Sequence, residues 1–388
     1  MPRSTYDINR RRKQKRLIRT FEILTAVFAV LMVACAYAGK IDPRSFVGAP
    51  FMVLAFTPML FISLLWMLFA LVKKRWIAVA TLVLAILASA PIIKLLVPYN
   101  TAENTPPSPA DPSLMLKVMT YNVLAFNYND HQLNSKPNES MRLILDANPD
   151  VVLMQEGTAS GVDWEDMPSL AAYRQEIISK YPYRYNSSEG LSIMSKYPFE
   201  TQPLGGAQQA RSPLGYNRNN ISYLARAYDL QLPSGKQLRL VDFRLQSYHL
   251  SFGKSMNVRV SPDVKPSALE RMRRSFELRG DNAVALRKAI DESPANVIVC
   301  GDMNDVPSSH VYRTICGDDL NDAWCKVGNG YTYTYNEHNL FYRIDHILYR
   351  GELGVLSAER LDGGSSDHYP LMATFDLDVK TQKKQMTK

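Results

Sequence analysis

Val297-Ile298-Val299-Cys300-Gly301-Asp302-Met303-Asn304 decides how most of this chain is read. The first four residues are apolar and mostly β-branched, which favours a buried strand. The run stops at a glycine and is followed by an acid and an amide two residues apart. On an extended segment such residues face one side. Asp302 and Asn304 are therefore expected to point into one cleft, where they suit orienting an attacking water.

The same punctuation recurs elsewhere. Val151-Val152-Leu153-Met154 runs into Gln155-Glu156, and Gly157 is expected to allow the turn that exposes the Glu156 carboxylate. Leu116–Tyr121 ends at Asn122, Arg343-Ile344-Asp345 opens another apolar run, and Ser366-Asp367-His368-Tyr369-Pro370 precedes the last one. Strand ends along one sheet edge bring residues distant in sequence to one cleft. A hard cation such as Mg²⁺, or Mn²⁺ in its place, takes oxygen ligands and keeps several waters. Glu156, Asn122 and Asp367 are the candidate ligands, and Asn122 is also a candidate phosphate contact. His368 can contact a scissile phosphate while Asp345 holds its other ring nitrogen.

Further strand candidates are Leu191–Ser195, Ile221–Leu230, Leu238–Leu245, Ile344–Tyr349 and Leu371–Phe375. Helix candidates are Asn138–Ala147, Pro168–Lys180, Ser267–Asp291 and His310–Thr314. Interleaved hairpins and helices predict an α/β (α+β) layered domain over residues 113–378.

Taken in order, Thr120-Tyr121-Asn122-Val123, Gln155-Glu156, Gly190 through Ser195-Lys196-Tyr197-Pro198, Gly301-Asp302-Met303-Asn304-Asp305, Arg343-Ile344-Asp345 and Ser366-Asp367-His368 resemble the endonuclease/exonuclease/phosphatase superfamily, the DNase I-like proteins. The resemblance implies a four-layer sandwich of two mixed β-sheets flanked by helices. It implies Glu156 as the principal Mg²⁺ ligand with Asn122 beside it. It also implies Asp302 and Asn304 around the nucleophilic water and an Asp345–His368 pair. One segment departs from the pattern. Where the family shows Asn-x-His-Leu-x-Ser, this chain has Asp242-Phe243-Arg244-Leu245-Gln246-Ser247. Arg244 replaces a phosphate-contacting histidine. Its guanidinium can bind phosphate as a permanent cation but cannot protonate a leaving group. His249 lies close by, yet five residues along a strand places it on the opposite face.

The N-terminal quarter is different in kind. Phe21–Gly39, Phe46–Val72 and Trp76–Val97 are each long and apolar enough for a membrane span. Residues 1–100 carry 14 Lys and Arg against 3 Asp and Glu, leaving 31 against 34 for the remainder. The pI near 9.1 therefore reflects the region beside the spans, not a basic surface for duplex nucleic acid. Basic residues before the first span, and Lys73-Lys74-Arg75 between the second and third, place both on the cytoplasmic side. The expected layout is a three-helix anchor over residues 1–98, an extended Pro-rich linker over 99–112, the catalytic domain, and a basic tail over 379–388. The domain then lies outside the inner membrane, in the periplasm of a Gram-negative cell.

The expected activity is metal-dependent hydrolysis of a phosphodiester, in nucleic acid or a phospholipid headgroup, beside a lipid bilayer and with no obligate protein partner. Nuclease, lipid phosphodiesterase and phosphatase remain open. The rival is an inactive binding or scaffold module, supported only by Arg244. Cys316 and Cys325 are expected to form a disulfide, Cys35 and Cys300 to stay buried thiols, and His346 to be structural. His131 and His338 are expected in exposed loops. Asp318, Asp319 and Asp322 read as a polar turn before a calcium site, and Tyr331, Tyr333 and Tyr335 as one face of a strand.

Overall fold

Alternation along the first strand sets up the layers. β1 (Met115–Asn122) sends Leu116 and Val118 to one face and Met119 and Tyr121 to the other, and all four are fully buried. Both faces of that strand must therefore be covered. The computed structural model describes residues 5–101, 114–158, 162–187, 189–202, 204, 224–247, 268–336 and 341–377.

The N-terminal unit consists of α1 (Thr5–Tyr37), α2 (Ala49–Val72), α3 (Trp76–Ala88) and α4 (Ala90–Leu96). α1 exceeds its apolar segment because the basic stretch Arg10–Arg16 continues the same helix. Phe28 stacks on Trp66 at 5.3 Å between α1 and α2, and the Tyr37 hydroxyl donates to the Ala88 carbonyl at 2.7 Å. Two helices, Asn9–Lys40 and Ala49–Val72, are long and apolar enough to cross a membrane. The third expected span is broken, since α3 and α4 meet at a 63° bend. Pro91, the second residue of α4, has no N–H and its ring collides with the carbonyl four residues back, which ends α3.

Past β1 the elements run α5 (His131–Asn134), α6 (Glu139–Ala147), β2 (Val151–Gln155), α7 (Arg174–Lys180), β3 (Tyr183–Asn186), β4 (Ser192–Ser195), β5 (Phe199–Gln202), β6 (Leu224–Gln231) and β7 (Gln237–Arg244). They continue with α8 (Ala268–Asp291), β8 (Val297–Asp302), α9 (His310–Cys316), β9 (Asn321–Asp322), α10 (Ala323–Val327), β10 (Asp345–Arg350), β11 (Gly354–Arg360) and β12 (Leu371–Asp376). Two six-stranded mixed sheets result, ordered β11-β12-β1-β2-β4-β3 and β5-β6-β7-β8-β10-β9. Each has one parallel pair, β1 with β2 and β7 with β8, and its other ladders are antiparallel.

The sheets pack face to face through one apolar cluster, with Leu116, Val118, Val151 and Leu153 against Leu238, Leu240, Ile298 and Cys300. The opposite face of the first sheet buries Met119, Tyr121, Val152 and Met154 against Met141, Ile144 and Leu145 of α6 and Ile177 of α7. Asn138 caps α6, its side-chain oxygen accepting from Ser140 and Met141 backbone N–H at 2.9 and 3.1 Å. The helix expected over Pro168–Lys180 is α-helical only from Arg174; Pro168–Tyr173 winds as a 3₁₀ helix.

The four edge strands, β3, β5, β9 and β11, are not among the strands expected from sequence. Their exposed faces carry polar residues, as in Tyr183-Arg184-Tyr185-Asn186, so no apolar run marks them.

Candidate active site

The topology gathers one end of each central strand. β1, β2, β7 and β8 finish at Asn122, Gln155, Arg244 and Asp302. The antiparallel strand β10 begins at Asp345, and His368 precedes β12 by three residues. Parallel strands end together, and their antiparallel neighbours start where they end.

Backbone geometry at two of these ends differs from expectation. Glu156 itself adopts the left-handed conformation, φ 54°, whereas Gly157 is not among the residues with positive φ. Gly157 is small for another reason: a Cβ there would come within 2.5 Å of the Ser192 hydroxyl. Left-handed backbone is disfavoured for a non-glycine residue, and it recurs where a side chain must be aimed. Asn304 has φ 50° and is not extended. Gly301 is required by close approach, because a Cβ would run into the Phe243 carbonyl oxygen of β7. Nothing larger lets β7 and β8 pair in register up to Arg244 and Asp302.

Asn122 links two carboxylates with one amide. Its Nδ2 donates to Glu156 Oε1 at 3.0 Å and to Asp302 Oδ2 at 3.2 Å. Asn304 reinforces Asp302, its backbone N–H donating to Oδ1 at 2.7 Å and its Nδ2 to Oδ2 at 2.9 Å. The same Nδ2 reaches the Leu245 carbonyl at 2.9 Å, tying the Asp302 loop to the end of β7. Arg244 closes the group from the other side, its guanidinium 2.7 Å from Glu156 Oε1.

Asp345 and His368 form a buried pair, Nδ1 to Oδ2 at 2.8 Å. Tyr335 sets its ring edge-on against the imidazole at 5.2 Å. Burial opposes a charge on His368. Asp345, Asp302 and Asp367 outweigh it and push the pKa up to about 10. The imidazolium therefore donates from both ring nitrogens at neutral pH. Burial, and then Asp345, raise Asp302 above the ordinary carboxylate range, partly offset by His368 and Arg244. Asp367 is half-buried beside Ser366, whose hydroxyl donates to the Asn122 carbonyl at 2.7 Å.

The residues suit a divalent cation. Glu156, Asp302, Asp345 and Asp367 share the site with two cationic side chains, Arg244 and His368, an excess of negative charge. One carboxylate oxygen each from Asp302 and Asp345 lie within 4.8 Å of one another and of one ring nitrogen of His368, which as an imidazolium adds charge and no lone pair, so the oxygens are the donors available to a cation. Asp345 Oδ1 is buried with no hydrogen-bond partner. The compact group thus contains residues read from sequence as catalytic, while Glu156, Asn122 and Asp367, read as ligands, stand beside it.

Other expectations sort as follows. His346 is fully buried beside Arg343 and Asp322, and burial lowers its pKa. Asp322 pairs with Arg343 at 2.7 Å, and Asp319 pairs with Arg287 and Arg350 at 2.7 Å, so Asp319 and Asp322 serve ion pairs. Cys316 and Cys325 are free thiols. Both thiols interact with Tyr312, and Arg343 Nη2 donates to Cys325 Sγ at 3.5 Å. His131 is exposed. His249, His338 and the basic tail lie outside the described residues.

Sequence reasoning names Gln155 and Asp242 without foreseeing that they meet. Gln155 Nε2 donates to Asp242 Oδ1 at 2.6 Å across the sheets, directly beneath the site. Two polar residues inside otherwise apolar strands were the available clue.

Among solved structures, D. rerio TDP2 humanised by 14 mutations shares 17% identity over 68% of this chain and 99% of that one, with a TM-score of 0.45. An endonuclease/exonuclease/phosphatase from Bacteroides vulgatus shares 18% over 68% and 99%, TM-score 0.45. The human nocturnin catalytic domain shares 19% over 67% and 93%, TM-score 0.43. No protein of curated function matches the chain. Residues 16–95 match a domain family of unknown function. The endonuclease/exonuclease/phosphatase family model matches residues 119–368, a stretch that holds every site residue from Asn122 to His368. By that match the chain belongs to the endonuclease/exonuclease/phosphatase family, whose members are phosphoesterases.

Proposed function

We propose that this chain is a membrane-anchored, Mg²⁺-dependent phosphoesterase, with Mn²⁺ able to substitute, that hydrolyses a phosphodiester by in-line attack of water. The observation that carries this reading is the continuous network from Glu156 through Asn122 to Asp302, facing the Asp345–His368 pair.

Glu156, with Asn122 and Asp367 beside it, would hold the cation. Bound there, it supplies positive charge to phosphoryl oxygens that gain negative charge in the transition state. Asp302 accepts the proton of the attacking water. Its raised proton affinity suits that task, and Asn304 fixes its orientation. His368 donates the N–H not held by Asp345 to a non-bridging phosphate oxygen. Asp345 keeps the imidazole charged and oriented. Arg244 adds a cationic fork for the phosphate but has no proton to give, so leaving-group assistance is weak.

Apolar helices of membrane length in the same chain favour a lipid headgroup as substrate, and the family description, which names endonucleases and exonucleases, favours nucleic acid. The basic residues flanking the apolar helices support an inner-membrane protein with a periplasmic domain.

The test is hydrolysis of bis-p-nitrophenyl phosphate by the purified full-length chain. Activity should vanish in EDTA and return with Mg²⁺. A panel of plasmid DNA, RNA, sphingomyelin, phosphatidylinositol phosphates and nucleotides then separates the substrate classes. A folded protein inert toward all of them, with and without Mg²⁺ or Mn²⁺, would favour the scaffold reading that Arg244 alone supports.

A further inference from the structure

Arg244 and Glu156 meet in a way that neither residue's role explains alone. The Arg244 backbone is pinned at the end of β7, opposite Leu224 of β6 and Asp302 of β8. The Arg244 side chain reaches Glu156 Oε1 at 2.7 Å, the oxygen that also accepts from Asn122. The two side chains are 26% and 27% exposed, so the pair sits at the open side of the cleft, not in the core. The guanidinium also lowers the proton affinity of Asp302. One permanent cation thus neutralises the carboxylate to which the proposed function assigns the divalent ion.

We propose that Arg244 is a tethered competitor for the Glu156 carboxylate: a divalent cation must displace the guanidinium to gain that oxygen, and the displaced guanidinium is then released into the cleft. This rests on the metal-dependent reading above. It goes further by giving Arg244 a second position and by linking the two sites. A carboxylate oxygen shared between an arginine and a divalent ion suffers repulsion between the two cations, so each weakens the other. Linkage makes the effect reciprocal, and cation binding frees an anion-binding group. While it pairs with Glu156, Arg244 is unavailable to phosphate. The arrangement would suppress binding of phosphate esters to the unloaded enzyme.

The experiment is Mn²⁺ binding to the full-length protein, followed by the electron paramagnetic resonance of free Mn²⁺, with no turnover involved. Arg244→Ala is expected to bind Mn²⁺ on the order of tenfold more tightly than wild type, a modest factor because the pair is partly solvent-screened. Arg244→Lys keeps a cation and should stay near wild type. On a Glu156→Gln background, Arg244→Ala should bring no gain, because the contested carboxylate is gone. Near-ultraviolet circular dichroism of each variant checks that the fold is retained. Equal or weaker Mn²⁺ binding by folded Arg244→Ala, with wild type binding normally, overturns this inference and leaves the metal-dependent reading standing. Failure of both wild type and Arg244→Ala to bind Mn²⁺ overturns the two together.

Discussion

Asp345 and Asp302 stand directly opposite each other on antiparallel strands, the first residue of β10 facing the last of β8. Residues so paired project side chains to the same face a few ångströms apart. Two carboxylates are therefore held together in a buried place, where ionising both is unfavourable. His368 resolves the conflict by bonding Asp345 at 2.8 Å and carrying a positive charge between the two acids.

That charge should be visible in the pH dependence. His368 is raised to about 10, so wild-type kcat/KM should hold until the pH approaches that value. In Asp345→Asn the main raising influence is gone. The alkaline limb should move toward ~6.5, the ordinary histidine value, and activity at pH 8 should fall by about tenfold or more. An alkaline limb left in place would separate the His368 charge from the reaction.

Glu156→Gln keeps shape and removes a charge. It should preserve the fold and lower activity by on the order of a hundredfold or more, the usual loss when a main electrostatic stabiliser is removed. High Mg²⁺ should restore part of it. Steady-state kinetics across a Mg²⁺ titration, with circular dichroism as the folding control, reads both.

Asp242 is fully enclosed, and burial raises its pKa well above the ordinary 3.8 despite the hydrogen bond from Gln155. For a carboxyl raised on folding, the stabilising contribution is complete below 3.8 and is lost as pH climbs toward the folded value. Asp242→Asn keeps the shape and cannot ionise. The variant should match wild type near pH 4 and surpass it increasingly toward pH 8. Unfolding midpoints over that range test this; a constant difference refutes it.

The Arg343–Asp322 pair is buried on both sides, and Asp322 also accepts from the Tyr312 hydroxyl at 2.9 Å. Burial would raise Asp322, but Arg343 and His346 hold it far below the usual carboxylate range. Its stabilisation is therefore present above pH 3.8 and lost as the pH falls below it. Asp322→Asn leaves a buried guanidinium without its counter-charge, which should cost about 3–5 kcal/mol. Urea unfolding at pH 7 gives the number.

The charge distribution around the apolar helices predicts an outer location for the residues after Pro112. Alkaline phosphatase fused there should be active in cells. Activity only from a cytoplasmic reporter at the same point would reverse the orientation.

The strands carrying the site could be read from sequence because their chemistry is local. Val297–Cys300 and Val151–Met154 are apolar runs that stop at a polar residue, and buried parallel strands look like that wherever they occur. The positions of Asn122, Asp302 and Asp345 at strand ends were legible for the same reason, and the burial of His346 followed from its alternation with Asp345; the roles given to the site residues came from the family resemblance. Membrane-length apolar helices follow from composition alone. Tertiary structure decided the rest. No local pattern says that Glu156 takes left-handed backbone in place of Gly157, or that Gly157 is kept small by the approach of Ser192 from β4. Nor does any pattern pair Arg244 with Glu156. That contact joins the end of β7 in one sheet to the end of β2 in the other, and exists only because the sheets stack. The Asp242–Gln155 bond is likewise a product of that stacking. Sequence determined which residues bear charge and where each strand stops; the packing of two sheets determined which of those charges meet, because distance between strand ends is a property of the fold and not of the chain.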